Sequence, residues 1–557
     1  MSQIFAPGLP DVGILCAMTD LADRLVIKDG NVFAVIPRHG DWSGPDGVWV
    51  DDCRHVSRHE LRIDGAAPRT VHADDAAGHT TVHRYAGGGR LERRVHADGT
   101  MVERVVAPGA IELTAEADFV TIFGLRGIVA CTPRDGHRTE LRRHAAPGEL
   151  RVEYRFLPAP QAPAPAVFVA PHVECDDERF AGVLRRAFAD MRMLLSSLDG
   201  EPYFAAGIPW YATLFGRDSL IAAMQLMAFA PDVAAGTLRL LAARIGREHD
   251  PAREEEPGKI LHELRPGESG TPLARYYGSV DATPLFLLAL EATRDAALQA
   301  QLRPAADAAR AWIARRDPLT YSAGTLRHQG WKDSDDGVPV EHPVALIEPQ
   351  AYAGRDVEPF WLPARGFYAM ALGTDVLASN QGHALWAWSQ SVAPARARAI
   401  RDALMGRAMF SGWGIRTLAA DEPLYDPLSY HRGSVWPHDT ALIAAGLRRH
   451  GFDDDFLTLL DALVDAAAQA PGQHLPELFG GQPRVAGELF VPHPVACRPQ
   501  AWAAGAIPFL LAEGLGLNGL ADERPALLPR GVSELRLDGI LHATRTAAGR
   551  VRVQLLG

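Results

Sequence analysis

A β-rich amino-terminal domain followed by a large helical one is the fold class this sequence predicts. Three observations lead to it. Apolar and polar residues alternate, with turn signals between runs, up to about residue 158. From residue 176 apolar residues recur three and four positions apart, and alternation returns at the carboxyl end. The predicted division is therefore a β-sandwich over 1–158, a linker over 159–175 and a helical domain with terminal strands over 176–557.

The amino-terminal strands are read from "RLVIKDGNVFAVIP", "HELRID" and "LERRVHADGTMVERVVAP". "IKDGN" and "HADGT" carry the Asp-Gly pair that tight hairpins favour, because glycine reaches positive φ without penalty. "LPAPQAPAPAVFVAP" is too rich in proline for a helix or a central strand and reads as a stiff connector. Helices are expected at 177–196, 218–230, 232–247, 280–294, 298–315, 367–377, 379–392, 394–407, 434–450, 452–469 and 499–515, where Ala, Leu and Arg dominate. The long connections 251–279 and 320–366 exceed what a packing loop needs, so they are candidates for function. "ELRLDGILHATRTAAGRVRVQLLG" reads as closing strands.

Bulk composition excludes several classes. The chain has 557 residues, 47% hydrophobic and 22% charged, in the range of a globular protein. A net charge of −12 without a basic stripe argues against nucleic acid. The five cysteines, Cys16, Cys53, Cys131, Cys175 and Cys497, form no CxxC pair, so neither a zinc cage nor a disulfide framework is expected. Their odd number fits a reducing compartment. "MSQIFAPGLPDVGILC" does not read as a secretory leader, and no stretch is apolar enough for a membrane span. The expectation is a cytoplasmic protein with no membrane or nucleic-acid partner.

Reaction classes fall away with their motifs. "HELRP" at 262–266 has Pro266 where a zincin needs its second histidine. "DSDDGV" at 333–338 puts Gly337 where a calcium loop needs a ligand. No phosphate loop, dinucleotide fingerprint or nucleophile elbow is present.

What remains is a set of segments rich in aromatics, carboxylates and arginine. They are "GIPWYATLFGRDSL", "EEPGKILHELRPGE", "YYGSVDATPLF", "HQGWKDSDDG", "SYHRGSVWPHDTAL", "HLPELFGG" and "CRPQAWAAGA". Aromatic planes beside planar hydrogen-bonding groups suit a sugar ring, and glycoside hydrolysis needs two carboxylates flanking one bond. Asp218 admits two readings: N-cap of the apolar run that follows, or a carboxyl buried among Trp210, Tyr211 and Phe215 with its pKa raised. Arg217 either meets sugar hydroxyls or pairs with another carboxylate. Glu477 in a loop is ordinarily solvated, although "HLPELF" is apolar around it. Asp333, Asp335 and Asp336 read equally as a solvated turn.

Taken together, and in this order, these blocks resemble the bacterial amylo-α-1,6-glucosidases, or glycogen debranching enzyme-like proteins. "AGIPWYATLFGRDSLIAAMQ", "QGWKDSDDG", "YHRGSVWPHDTALIA" and "LPELFGG" carry the resemblance over roughly 200–510, and "VWVDDCRHVSRHELRIDG" extends it more loosely into the amino-terminal domain. The resemblance implies an (α/α)6 barrel, a carbohydrate substrate and no cofactor or metal. It makes Asp218 the general acid and Glu477 the general base of an inverting, exo-acting hydrolase. It places Trp210, Tyr211, Phe215, Arg217, Trp331, Lys332 and Asp333 around the sugar. Tyr277, Asp281, His431, Trp436, Gln500 and Trp502 complete the expected pocket. These residues carry no sign of a second, transferase barrel, so a single-site hydrolase acting on a smaller glucoside is an equal expectation. Two rivals stay open: an epimerase using His262, His431 or His438 as bases, and a non-catalytic carbohydrate binder.

Overall fold

A computed structural model describes residues 24–39, 42–76, 78–121, 136–160, 168–268, 271–388, 390–518 and 524–556. Cys16, Cys131, the stretch read for a leader and the middle of the Pro/Ala connector lie outside them. No helix of the described residues is long and apolar enough to cross a membrane.

The amino-terminal part is antiparallel. Strands β1 (Arg24–Asp29), β2 (Val32–Pro37), β3 (Gly47–Val50) and β4 (Cys53–Val56) form one sheet in that order. Strands β5 (Arg58–Ile63) and β10 (Ile111–Glu116) pair with each other. Strands β6 (Thr70–Ala76), β7 (Thr80–Tyr85), β8 (Arg90–His96), β9 (Thr100–Val106), β11 (Arg138–Ala146) and β12 (Glu149–Leu157) make a six-stranded sheet ordered β11-β12-β9-β8-β7-β6. Both expected hairpins form. β1 and β2 meet across Gly30 at φ +56°, and β8 and β9 across Gly99 at φ +83°. Alternate side chains of the two larger sheets, among them Ile27, Ala34 and Val48 against Val95, Met101 and Val152, share one core.

The helical part begins after strand β13 (Val173–Cys175) with α1 (Glu178–Leu194), which Asp177 caps by accepting from the Phe180 N–H at 3.0 Å. A hairpin of β14 (Leu195–Leu198) and β15 (Glu201–Phe204) follows. It receives the amino-terminal domain: the Lys28 ammonium donates to Leu195 O at 3.1 Å and Ser196 Oγ at 2.7 Å. Next come α2 (Gly216–Gln225), α3 (Pro231–Ala243), α4 (Ala282–Ala292), α5 (Ala296–Ala314) and α6 (Ile347–Tyr352). The series continues with α7 (Gln381–Ala387), α8 (Pro394–Met405), α9 (Pro437–Arg449), α10 (Asp453–Gln469), α11 (Ala501–Ala504) and α12 (Ala506–Leu515). The chain closes with β16 (Glu534–Leu537), β17 (Leu541–Arg545) and β18 (Val551–Leu555), and β16 pairs with β13.

One expected helix is absent. Residues 367–377 are extended and turned: Phe367–Tyr368 pairs with Trp361–Leu362, and Gly366 and Gly373 take φ of +74° and +87°. Two left-handed glycines bracketing a short apolar run favour a hairpin over a helix. Helix α6 stands where only a long loop was expected.

The packing has a cyclic order. Helix α2 packs on α4, α4 on α6, α6 on α7, α7 on α9, α9 on α11, and α11 back on α2. The amino-terminal ends of these six helices carry Asp218, Asp281, Glu348, Asn380, Trp436 and Gln500, each in the first turn or at the N-cap. Residues far apart in sequence thus meet at one end of the helices.

Candidate active site

Asp218 is positioned by a backbone contact. The Gly216 N–H donates to His262 O at 2.8 Å and the Leu264 N–H to Leu214 O at 3.0 Å, so 214–216 runs antiparallel to 262–264. A Cβ on Gly216 would stand 2.0 Å from Leu261 O, so only glycine permits this approach. Helix α2 therefore starts at Gly216 with Phe215 in the N-cap position, and Asp218 is its third residue. The reading of Asp218 as N-cap is corrected: it lies in the first turn, three positions after the N-cap, and its carboxyl lines a cavity.

That cavity is lined by Tyr211, Phe215, Arg217, Asp218, Trp331, Asp333, Tyr430, Trp436, Glu477 and Trp502. It is narrow, with about 20 Å³ of free volume between these side chains. Larger cavities of about 890 and 840 Å³ lie elsewhere, but neither contains a tryptophan to stack on a ring.

Glu477 is held by reciprocal backbone bonds. Its N–H donates to Cys497 O at 3.1 Å, and the Cys497 N–H donates to Glu477 Oε2 at 2.7 Å. The Tyr430 hydroxyl donates to Oε1 at 2.7 Å. Only 1% of Glu477 is exposed, so the solvated-loop reading fails. Phe479 extends the segment by exchanging two backbone bonds with Val435, just before α9.

The two carboxyls are raised alike but held differently. Burial pushes Asp218 up to about 7, against the pull of Arg217 and with the help of Asp333 and Glu477. Burial likewise pushes Glu477 up to about 7, opposed by the hydrogen bonds from the Cys497 N–H and Tyr430. Those donors favour the ionised form of Glu477. Among the described residues no other residue donates a hydrogen bond to the Asp218 carboxyl.

Arg217 pairs with carboxylates and also lines the cavity. One guanidinium nitrogen reaches both Asp281 oxygens at 3.0 Å, and the other reaches Asp333 Oδ2 at 2.8 Å. Asp281 also accepts from Ser279 Oγ at 2.7 Å and lies behind Arg217, outside the lining. Asp336, read within a possible solvated turn, accepts from the hydroxyls of Ser334 and Ser429 and, at 3.1 Å, from the Tyr430 N–H. It thereby fixes the turn that carries Tyr430.

The tryptophans form one cluster. Trp436 meets Trp331 edge-on at 5.6 Å and Trp502 at 5.9 Å between centroids, and His438 stacks on Trp502 at 3.8 Å. Several expected pocket residues support this lining rather than join it. Trp210 donates to Val495 O at 3.2 Å, Tyr277 to Arg244 O at 2.8 Å, and Lys332 to Asn380 Oδ1 and Thr417 O at 2.7 Å. His431 stacks behind Trp436 at 5.0 Å, with Nδ1 2.6 Å from Ser334 Oγ. Gln500 is buried against Gly207, where a Cβ would stand 1.6 Å from its Oε1. His262 and His438 also stand outside the lining. Sequence reasoning missed Tyr430. Its only signal was an aromatic hydroxyl inside a block already singled out, "SYHRGSVWPH".

A family model matches this region: residues 355–479, which include Tyr430, Trp436 and Glu477 but not Asp218, match the mannosylglycerate hydrolase MGH1-like glycoside hydrolase domain. The chain thus carries a glycoside hydrolase domain. Residues 27–178 match the N-terminal domain of (some) glycogen debranching enzymes. In this order, the two matched stretches are similar to domains of glycogen debranching enzymes and of mannosylglycerate-hydrolase-like glycoside hydrolases. No curated protein matches the chain. Among solved structures, a wild-type glycosidase is 16% identical with a TM-score of 0.45, the match covering 62% of this chain and 100% of that one. A GH63 mannosylglycerate hydrolase from Thermus thermophilus, solved with Tris, is 14% identical with a TM-score of 0.41, covering 58% and 98%. These likenesses are distant.

Proposed function

We propose that the chain is an inverting, exo-acting glycoside hydrolase of α-glucosides, with α-1,6-linked ends of glycogen-like chains or short isomalto-type sugars as its substrates. Asp218 is the general acid and Glu477 the general base. The observation that carries this reading is the unequal treatment of two buried carboxyls in one aromatic cavity. Glu477 accepts two hydrogen bonds that favour its ionised form, while the Asp218 carboxyl accepts none from another residue among those described. In an inverting reaction Asp218 protonates the departing glycosidic oxygen as Glu477 draws a proton from water on the opposite face of the ring. The carboxyls then stand about 6.5–9.5 Å apart with substrate bound. Trp331, Trp436 and Trp502 supply apolar planes, and Arg217 and Asp333 bind hydroxyls. The cyclic packing of α2, α4, α6, α7, α9 and α11 supports closure as an (α/α)6 barrel, with 1–158 as a separate β-sandwich and 159–175 as its linker. The reaction needs no cofactor, and the odd number of scattered cysteines suits the cytoplasm.

A panel of α-linked disaccharides and glycogen limit dextrin, with the product anomer followed by NMR, tests this. Release of β-glucose supports it, whereas retained configuration or no release from any member overturns it. The pH profile of kcat/KM is a sharper check. Glu477 must be ionised and Asp218 protonated, and both titrate near 7 and influence each other, so the pair loses its protons in two steps. The result is a narrow bell centred near neutrality, falling about tenfold per pH unit on each side. A plateau across several units would contradict it. Tyr430→Phe removes a donor that favours ionised Glu477, so the acidic limb moves up by about one unit. Kinetics against pH in the two enzymes read this shift directly.

A further inference from the structure

We propose that Cys53, His55 and His137, in the amino-terminal domain, bind a thiophilic divalent cation of the Zn²⁺ class. One ligand atom from each of the three lies within 4.8 Å of the others, the one such group among the described residues. Cys53 and His55 are two positions apart on β4, so their side chains leave the same face of the strand. His137 immediately precedes β11, and the Thr139 hydroxyl ties that strand to β4 by donating to His55 O at 2.8 Å. These are the edge strands of two different sheets. A cation here would cross-link the sheets at a seam where few strand hydrogen bonds do so.

A second observation points to a ligand. His55 is 1% exposed, yet its Nε2 finds no hydrogen-bond partner among the described residues. A buried ring nitrogen without a partner is costly, and a metal satisfies it without a proton. Two imidazoles and a thiolate select zinc-like ions over Mg²⁺ or Ca²⁺, which take oxygen donors. Around tetrahedral Zn²⁺, with bonds of about 2.0–2.3 Å, donors stand roughly 3.3–3.6 Å apart. The three side chains therefore close by about an ångström, within the reach of rotamer adjustment. His137 is half-buried, which leaves a fourth position open to water. Binding displaces the Cys53 thiol proton to solvent, so affinity rises with pH.

The sequence hides this site because its donors do not follow a CxxC spacing. The test uses the full chain, stripped of metal by a chelator and titrated with Co²⁺ alone. The expected result is one equivalent bound with a thiolate-to-cobalt charge-transfer band, displaced by Zn²⁺. Cys53→Ser loses the band, and His137→Gln weakens Co²⁺ binding at least about tenfold. Circular dichroism confirms that the variants are folded. Folded wild-type protein without the band overturns the proposal, as does a band that survives in Cys53→Ser.

Discussion

Replacing Asp218 with Asn, or Glu477 with Gln, lowers turnover by about 10²–10⁴, the usual contribution of a positioned acid or base. The two variants differ in rescue. A glucoside whose leaving group needs no proton restores much of the rate to Asp218→Asn and little to Glu477→Gln. Equal rescue of both, or wild-type rates in either, would remove the acid/base assignment. Asp218→Asn also changes stability, and the sign follows from its pKa. The folded chain raises Asp218 from 3.8 to about 7, so the folded form holds that proton more tightly than the unfolded one. Stability from this group is full below pH ~4 and is lost as pH rises through about 7. An amide does not ionise, so above pH 7 the variant gains roughly 4–5 kcal/mol, at about 1.4 kcal/mol per unit. Denaturant midpoints at pH 5 and pH 8 measure it: the variant's advantage grows with pH.

Arg217→Met has the opposite effect on the fold. Arg217 and Asp281 are 3% and 0% exposed, so deleting the cation leaves a buried carboxylate with Ser279 as its remaining side-chain donor. Breaking a buried pair from one side costs roughly 3–5 kcal/mol. Arg217→Met/Asp281→Asn returns much of that loss, because the stranded charge is removed as well. Chemical denaturation of the single and double variants gives the coupling, and a single-variant cost below about 1 kcal/mol would show the pair to be dispensable. Activity falls in both, since Asp333 also loses its partner at 2.8 Å.

Much of the architecture was legible because the signals were local. Asp-Gly pairs fixed two hairpins, and the terminal alternation became β16–β18. Most helix cores were read to within a few residues, because their apolar stripes face a single core. The run 367–377 misled because an apolar stretch of that length has no period of its own, and its two glycines decided the outcome. At the site, the blocks were visible as composition, but the division of labour within them was not. Lys332 and Tyr277 look like sugar ligands in sequence, yet each spends its polar atom on a backbone carbonyl. Tyr430 was passed over because its importance depends on Glu477, 47 positions away. Asp218 looked like a cap because a helix start is inferred from the apolar run, while the actual start is set by Gly216 docking on Leu261.

That docking has a wider consequence. Where the Asp218 carboxyl sits is decided by an absence, the missing side chain at residue 216. A methyl group there would collide with a carbonyl of another loop and swing the whole first turn away from the cavity. Substitution at residue 216 is therefore narrowly limited although it lies outside the cavity lining, and the rings across the cavity carry no such constraint from this docking.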